Sequence, residues 1–203
     1  MSQLRTAFND WEANAVRIVE VAPLLVPGTF QVDGYVHAIM TAGGLPSGDV
    51  SQRILDRVAR RQPVTRANPA AVLVLLGEHV LSQEVGGRAV AVEQARHLVH
   101  MACQPTVTIR LVPDHRDWHP GLEGAFTIVE SGRAADRRRT VGRGNSDLAT
   151  IVVLETRRSV SMLHTDSDVD AFERAAEWIT RISRTPEESV KYLADWAGAL
   201  ASA

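Results

Sequence analysis

Two polar residues, Glu78 and His119, stand where the chain could carry out acid–base chemistry. Glu78 follows the apolar run of residues 72–76 after one glycine, and His119 opens a His-Pro-Gly turn. Both are predicted to leave the carboxyl-side ends of strands, where ligands tend to bind in α/β sheets. A carboxylate and an imidazole at such an edge can serve as general acid and base. They are the catalytic candidates if the protein is an enzyme.

A cleft is predicted around this pair. Pro27 and Gly28 form a turn signal, because proline fixes φ and glycine accepts positive φ. The expected lining of the cleft adds a polar residue from this turn and three apolar walls: Gln31, Tyr35, Trp118 and Phe126. The alternative is that the two Pro-Gly turns only fix how helices pack on the sheet. The residues leave both readings open.

Metal and cofactor chemistry is not expected. One loop contains the residue types that bind non-haem iron, namely Asp114, His115, Asp117 and His119. The second histidine of such a site comes from a distant strand, so a polar loop without metal is the favoured interpretation. His97 and His100 share a predicted helix face, and the simpler reading places them toward solvent. No P-loop, Rossmann glycine fingerprint, nucleophile elbow or Cys-x-x-Cys is present, so no cofactor is predicted.

Two further features have a functional and a simpler reading. Cys103 ends a helical stripe and is predicted to be a small core residue, since nothing near it favours a thiolate. Residues 131–148 hold five arginines and almost no apolar side chain. Such a stretch can bind a phosphate or an acidic partner surface, or it can be a solvated loop. The solvated loop is the favoured interpretation.

The elements that position these residues follow from apolar periodicity. Residues 72–76 form a short aliphatic run typical of a strand buried on both faces. From Arg88 the apolar positions repeat at helical spacing, and Gln104-Pro105 ends that helix. Val107, Ile109 and Leu111 then alternate with polar residues, which indicates a strand. Strand, helix and strand within about 40 residues predict a βαβ unit.

The whole chain is predicted to be one α/β domain over residues 1–203. Residues 1–63 are expected to be a mostly helical front, whose first helix is indicated by Leu4, Phe8, Trp11, Ala15 and Ile18. Residues 71–164 are expected to form a mixed sheet of about five strands with one crossover helix. Residues 166–200 are expected to form two capped helices, with Ser167 and Thr185 at their starts.

Composition narrows the function. The chain has 203 residues, is 45% apolar and has a net charge of −2, which gives no electrostatic footprint for nucleic acid or an anionic membrane. No apolar run approaches the ~20 residues of a bilayer span. A single cysteine fits a reducing compartment. A cytoplasmic protein with no membrane partner is expected.

Several motifs punctuate the chain in order. They are Val26-Pro27-Gly28-Thr29-Phe30-Gln31 with Tyr35, Arg61-Gln62, Gly77-Glu78, Val85-Gly86-Gly87 with Gln94, Pro105 to Pro113, and His119 to Phe126. From about Trp11 to Trp196 this order resembles the regulatory domain that follows the helix-turn-helix in actinobacterial, antitoxin-like transcription regulators of the XRE type. Thr29 and Phe30 stand where that family usually has leucines. The arginine-rich stretch exceeds the short connection expected there.

The resemblance implies a regulatory domain that binds a small-molecule effector or a small partner protein and forms a homodimer through its helices. The few residues before Trp11 leave no room for a helix-turn-helix, so this chain is expected not to contact nucleic acid itself. The first hypothesis is therefore a ligand- or partner-binding regulatory domain without its DNA-binding part. The second is a freestanding relative reused as an enzyme or a small-molecule binder, with Glu78 and His119 in the cleft.

Overall fold

The computed structural model describes residues 3–44, 54, 57, 61–114, 117–132, 149–156 and 159–202. The arginine-rich stretch falls almost entirely outside the described residues, so its interpretation stays a prediction. The same holds for residues 45–60 of the expected helical front, apart from Ile54 and Arg57.

A mixed sheet forms the centre of the molecule. Its strands in the described part of the chain are β1 (Ala15–Ala22), β2 (Ala71–Gly77), β3 (Val107–Val112), β4 (Phe126–Ser131), β5 (Ala149–Glu155) and β6 (Val160–Leu163). They lie in the order β3-β2-β1-β4-β5-β6. The first three are parallel, and the pairs β1–β4, β4–β5 and β5–β6 are antiparallel. The α/β prediction is confirmed, with six strands where about five were expected.

The additional strand is β1, and the predicted first helix was too long because its last part belongs to this strand. The first helix ends at Ala13, and Ala15 and Ile18 belong to a strand between β2 and β4. Where the helix gives way to the strand, the Arg66 guanidinium donates to the carbonyl oxygens of Ala13 and Ala15. The following residues are rich in valine and isoleucine, which suit a buried strand better than a helix.

Helices cover both faces of the sheet. They are α1 (Gln3–Ala13), α2 (Asp33–Ala42), the short α3 (Gln62–Thr65), α4 (Arg88–Ala102), α5 (Asp166–Ile182) and α6 (Pro186–Ser202). The larger apolar cluster joins one face of the sheet to residues of α1, α2, α4 and α6. The smaller cluster joins the opposite face to α5. Because side chains alternate along a strand, Val74 and Leu75 of β2 point into different clusters.

The predicted βαβ unit is confirmed as β2, α4 and β3. The two strands pair in parallel, with Val74 opposite Ile109. Gly86 and Gly87 have φ of 82° and 83°, a conformation that only glycine adopts without strain, so the chain can turn into α4. The helix buries Ala91, Ala95 and Leu98 against the sheet. The chain from β1 to β2 is a second parallel connection, which the sequence did not reveal.

Both C-terminal helices are confirmed, with one change at the first cap. Thr165, and not Ser167, caps α5, because its side chain accepts a hydrogen bond from the Asp168 N–H. At α6 the predicted capping box is present. The Glu188 N–H donates to Thr185 Oγ1 at 3.2 Å, and the Thr185 N–H donates to Glu188 Oε2 at 2.9 Å.

The junction between α5 and α6 closes the outer edge of β3. The Leu111 N–H donates to Ser189 Oγ at 3.0 Å, and the Leu111 carbonyl accepts from the Arg184 N–H at 2.8 Å. The Arg110 side chain adds a bond from Nε to Ser183 Oγ at 2.8 Å. The backbone of this edge strand is therefore bonded to side chains and backbone of the helical junction.

In the portion of the chain that the structure describes, every helix is too short or too polar to cross a bilayer.

Candidate functional site

Four chain segments meet at one edge of the sheet, which we call the carboxyl edge. The parallel strands end there at Ala22, Gly77 and Val112, and β4 enters there, since Phe126 pairs with Val21. The loop after β1 passes close to the end of β2, because a Cβ at Gly77 would lie 2.6 Å from the Pro23 carbonyl oxygen. The predicted gathering of loops at strand ends is thus present.

Glu78 at this edge is engaged in an ion pair. Its Oε1 accepts a hydrogen bond from Nε of Arg184, which lies at the junction of α5 and α6. The Arg184 guanidinium also lies over the Tyr192 ring, 4.9 Å from its centroid. The hydrogen bond to Glu78 raises the pKa of Arg184, so the guanidinium stays charged. A carboxylate held this way is poorly placed to act as a general base.

His119 lies in the turn between β3 and β4 and is 7% exposed. It packs beside Gly121 and Ile179, since a Cβ at Gly121 would lie 3.0 Å from the imidazole and 3.3 Å from Ile179 Cδ1. Its Nδ1 is buried with no hydrogen-bond partner. Burial lowers the pKa of His119, so the ring is neutral at pH 7. The residue is a packed side chain beside α5.

The Val-Pro-Gly motif folds back on itself in the larger cluster. Gln31 Nε2 donates to the Val26 carbonyl at 2.7 Å, and the Val26 N–H donates to the Tyr35 hydroxyl at 3.3 Å. Pro27 and Gly28 begin a 3-10 turn over Gly28–Phe30, and a Cβ at Gly28 would meet the Arg57 guanidinium at 2.3 Å. Burial is the main reason that the pKa of Tyr35 is raised.

Gln94 of α4 holds this turn in place. Its Nε2 donates to the Phe30 carbonyl at 2.8 Å, and its Oε1 accepts from the Val32 N–H at 2.9 Å. The Arg61 guanidinium donates to the Gln31 carbonyl at 2.6 Å and to Asp33 Oδ1 at 2.8 Å. Gln94 and Arg61 are motif residues, and their contacts show that these motifs bind one segment of the chain to another.

The structure does not bring the predicted cleft residues together. Tyr35 and the Pro27–Gly28 turn belong to the larger cluster, whereas Phe126 belongs to the smaller one, on the opposite face. The sheet separates them. Trp118 lies apart from both clusters and is 56% exposed. The expectation of one cleft with these three walls is therefore wrong, because Tyr35 on α2 and Phe126 on β4 lie on opposite faces of the sheet.

An exposed apolar surface occupies the carboxyl edge instead. Six large apolar side chains of the described residues are exposed there: Leu24 and Leu25 after β1, Trp118 and Leu122 before β4, Trp178 on α5, and Tyr192 beneath Arg184. Trp118 and Trp178 stack edge to face, with centroids 5.5 Å apart. We call these six residues the aromatic edge.

Most of the aromatic edge was missed from the sequence. Trp118 was a candidate, but Trp178 lies outside the apolar stripe of its helix that contains Val169, Ala176 and Ile179. A tryptophan on the polar side of an amphipathic helix is itself a signal, because large exposed apolar groups often mark binding surfaces. Its contact with Trp118, however, depends on the tertiary structure.

A small apolar notch adjoins this surface. It has a volume of about 170 Å³ and lies between α5, the turn Pro120–Glu123 and the start of β4. Phe126 and Phe172 form its inner wall and pack edge to face with centroids 4.9 Å apart. Leu154, Ala171 and Ala175 complete the apolar lining, and Glu123 lies at the notch.

The remaining candidates have ordinary surroundings. Asp114 accepts a hydrogen bond from the His79 N–H, and among the residues that the structure describes no three His, Cys, Asp or Glu side chains could hold a metal ion. His97 is half-buried, and burial lowers its pKa. Cys103 is exposed as the C-cap residue of α4, so the prediction of a core cysteine was wrong.

Comparison with known proteins gives one match. A family model described as a domain of unknown function, DUF5753, matches residues 5–195. No curated protein and no solved structure matches this chain.

Proposed function

We propose that this chain, which belongs to the DUF5753 family, is the partner-binding regulatory domain of an antitoxin-like transcription regulator of the XRE type. The order of motifs from Val26 to Phe126 supports the regulatory role, because it resembles that of such regulators. The partner is a protein that docks on the aromatic edge. The expected homodimer stays a prediction, which sedimentation equilibrium would test.

The observation that carries the proposal is the clustering of exposed apolar side chains at the aromatic edge. Of the seven large apolar side chains exposed in the described residues, only Val16 lies at the other end of a strand. Tryptophan, tyrosine and arginine are the residue types enriched at binding hot spots. At this edge Trp118 stacks on Trp178, and Arg184 lies over Tyr192.

At this surface a protein partner is better supported than a small effector or an enzyme. Sites for small ligands usually have volumes of about 300–1,000 Å³, whereas the notch has about 170 Å³. The acid–base pair of the enzyme hypothesis is also unfavourable. The Glu78 carboxylate is bonded to Arg184, and the buried His119 packs against Gly121 and Ile179.

The test compares substitutions in the aromatic edge with one at an exposed apolar residue elsewhere, in the protein produced in its native host. Affinity purification should recover one protein in a fixed ratio to the wild type, and this protein should be lost with Trp118→Ser or Trp178→Ser. Truncating a hot-spot residue costs about 2 kcal/mol or more, so the Kd measured by calorimetry should rise at least about 30-fold.

Val16→Ser is the matched control, because Val16 is exposed at the opposite end of β1 and should leave the Kd unchanged. Circular dichroism should show that all three variants are folded. A partner that binds the tryptophan variants and the wild type equally well would refute the proposed surface.

A further inference from the structure

We propose that the notch is an anchor pocket, which takes one apolar side chain of the partner from a segment that carries a cationic group beside that side chain. The inference rests on the proposed function, since it specifies the chemistry of the partner at the same surface.

The size of the notch fits one side chain. Cavities of about 150 Å³ that are lined by apolar side chains hold a molecule the size of benzene. The notch of about 170 Å³ has such a lining, with Phe126, Phe172 and Leu154 as its large members. It therefore has room for a leucine, a methionine or a phenylalanine side chain, and not for a drug-sized molecule.

Two alanines of α5 create this space. Ala171 and Ala175 are one helical turn apart and both line the notch. Trp178 follows three residues later, on the same side of the helix, and stacks on Trp118. A side chain in the notch would thus lie about one turn of α5 from the tryptophan pair. The notch therefore lies beside the Trp118–Trp178 pair of the aromatic edge.

The negative charge of Glu123 at the notch determines which group of the partner should lie beside its apolar side chain. Among the described residues that line the notch, Glu123 alone is charged, and its side chain is exposed to solvent. Leu122, beside it in the same turn, is 61% exposed. A carboxylate at the rim of an apolar pocket favours an ammonium or guanidinium group and repels an anion, so it selects among segments that share the same apolar anchor.

Three small probes that share the same isobutyl group separate the contribution of the apolar group from that of the charge. These are 3-methylbutylammonium, 3-methylbutanol and 3-methylbutanoate, each added to ¹⁵N-labelled protein and followed by NMR. Amide shifts are expected around Phe126 and Ala171. The ammonium probe should bind at least about threefold more tightly than the alcohol, because of Glu123, and the carboxylate probe most weakly.

Variants assign the binding to the notch. Glu123→Gln should make the ammonium and the alcohol bind equally. Ala175→Leu fills the notch and should weaken all three probes at least about tenfold. Ala194→Leu is the matched control, because Ala194 is exposed on α6, and it should change nothing.

The outcomes also separate this inference from the proposed function. If Ala175→Leu leaves the probe shifts unchanged, or if the carboxylate binds best, the anchor pocket is refuted. If the notch fails in this way while Trp118→Ser still abolishes partner binding, the proposed function stands without it. If the probes behave as expected but the partner ignores the tryptophans, the aromatic edge is refuted and the pocket remains.

Discussion

Gln94 provides a sharp test of the view that the motifs bind one chain segment to another. It is 2% exposed, and its side-chain amide satisfies two backbone groups of the preceding segment, the Phe30 carbonyl and the Val32 N–H. Gln94→Leu keeps most of the side-chain volume but removes both hydrogen bonds. Each buried backbone group left without a partner costs about 1.5 kcal/mol, so the free energy of unfolding should fall by about 3 kcal/mol.

Urea unfolding followed by tryptophan fluorescence measures this loss. In a domain of this size, about 3 kcal/mol corresponds to a decrease in Tm of roughly 6–12 °C. Glu93→Leu is the matched control, because Glu93 is exposed on the same helix and its replacement should change stability by less than about 0.5 kcal/mol.

A second variant at the same position distinguishes the two bonds. Gln94→Glu still accepts from the Val32 N–H, but an ionised carboxylate has no proton to donate to the Phe30 carbonyl. The variant should therefore be destabilised at pH 7, and part of the loss should be recovered where the carboxyl is protonated. If Gln94→Leu unfolds within about 0.5 kcal/mol of the wild type, the reasoning is wrong.

Two further predictions concern the original acid–base candidates. Glu78→Gln should lower the free energy of unfolding by about 1–2 kcal/mol, because Arg184 loses its ionic partner; a double-mutant cycle with Arg184→Gln that shows no coupling would contradict this. Burial lowers the pKa of His119, so the unfolded chain takes up a proton near pH 6.5 before the folded protein does. Stability present above pH 6.5 should therefore fall as the pH drops toward the folded pKa. Urea midpoints measured from pH 7.5 to 5.5 should fall less steeply in His119→Gln than in the wild type. His37→Gln is the control and should behave as the wild type does, since His37 is exposed.

Local signals made part of the fold predictable. The β2–α4–β3 unit follows from a change of apolar period and a proline stop, and the capping box of Thr185 and Glu188 is read from four consecutive residues. The strand β1 was not predictable in this way. Apolar residues at helical spacing continue to Ile18, but β1 is stabilised by pairing with residues 71–76 and 126–131, far along the chain.

The candidate site was harder to predict, because it depends on which face of the sheet each side chain occupies. Glu78 and His119 lie on segments at the expected edge, yet Arg184, which binds Glu78, and Ile179, which lies near His119 at Gly121, belong to the α5–α6 region much later in the sequence. Gln31 and Tyr35 bond to Val26 within their own segment. Motif residues of this kind stabilise the packing of the fold. The contact between the exposed tryptophans depends on the tertiary structure and could not be predicted from the sequence.

The bonds from Leu111 to Arg184 and Ser189 have a consequence for how the molecule behaves among copies of itself. An uncovered edge strand presents backbone N–H and C=O groups onto which another chain can add as a strand. In β3 the N–H and C=O of Leu111 are already bonded to the α5–α6 junction. The α5–α6 junction therefore blocks the addition of another strand to β3. Removing it would uncover the flank beside Leu111 and invite intermolecular β-addition there.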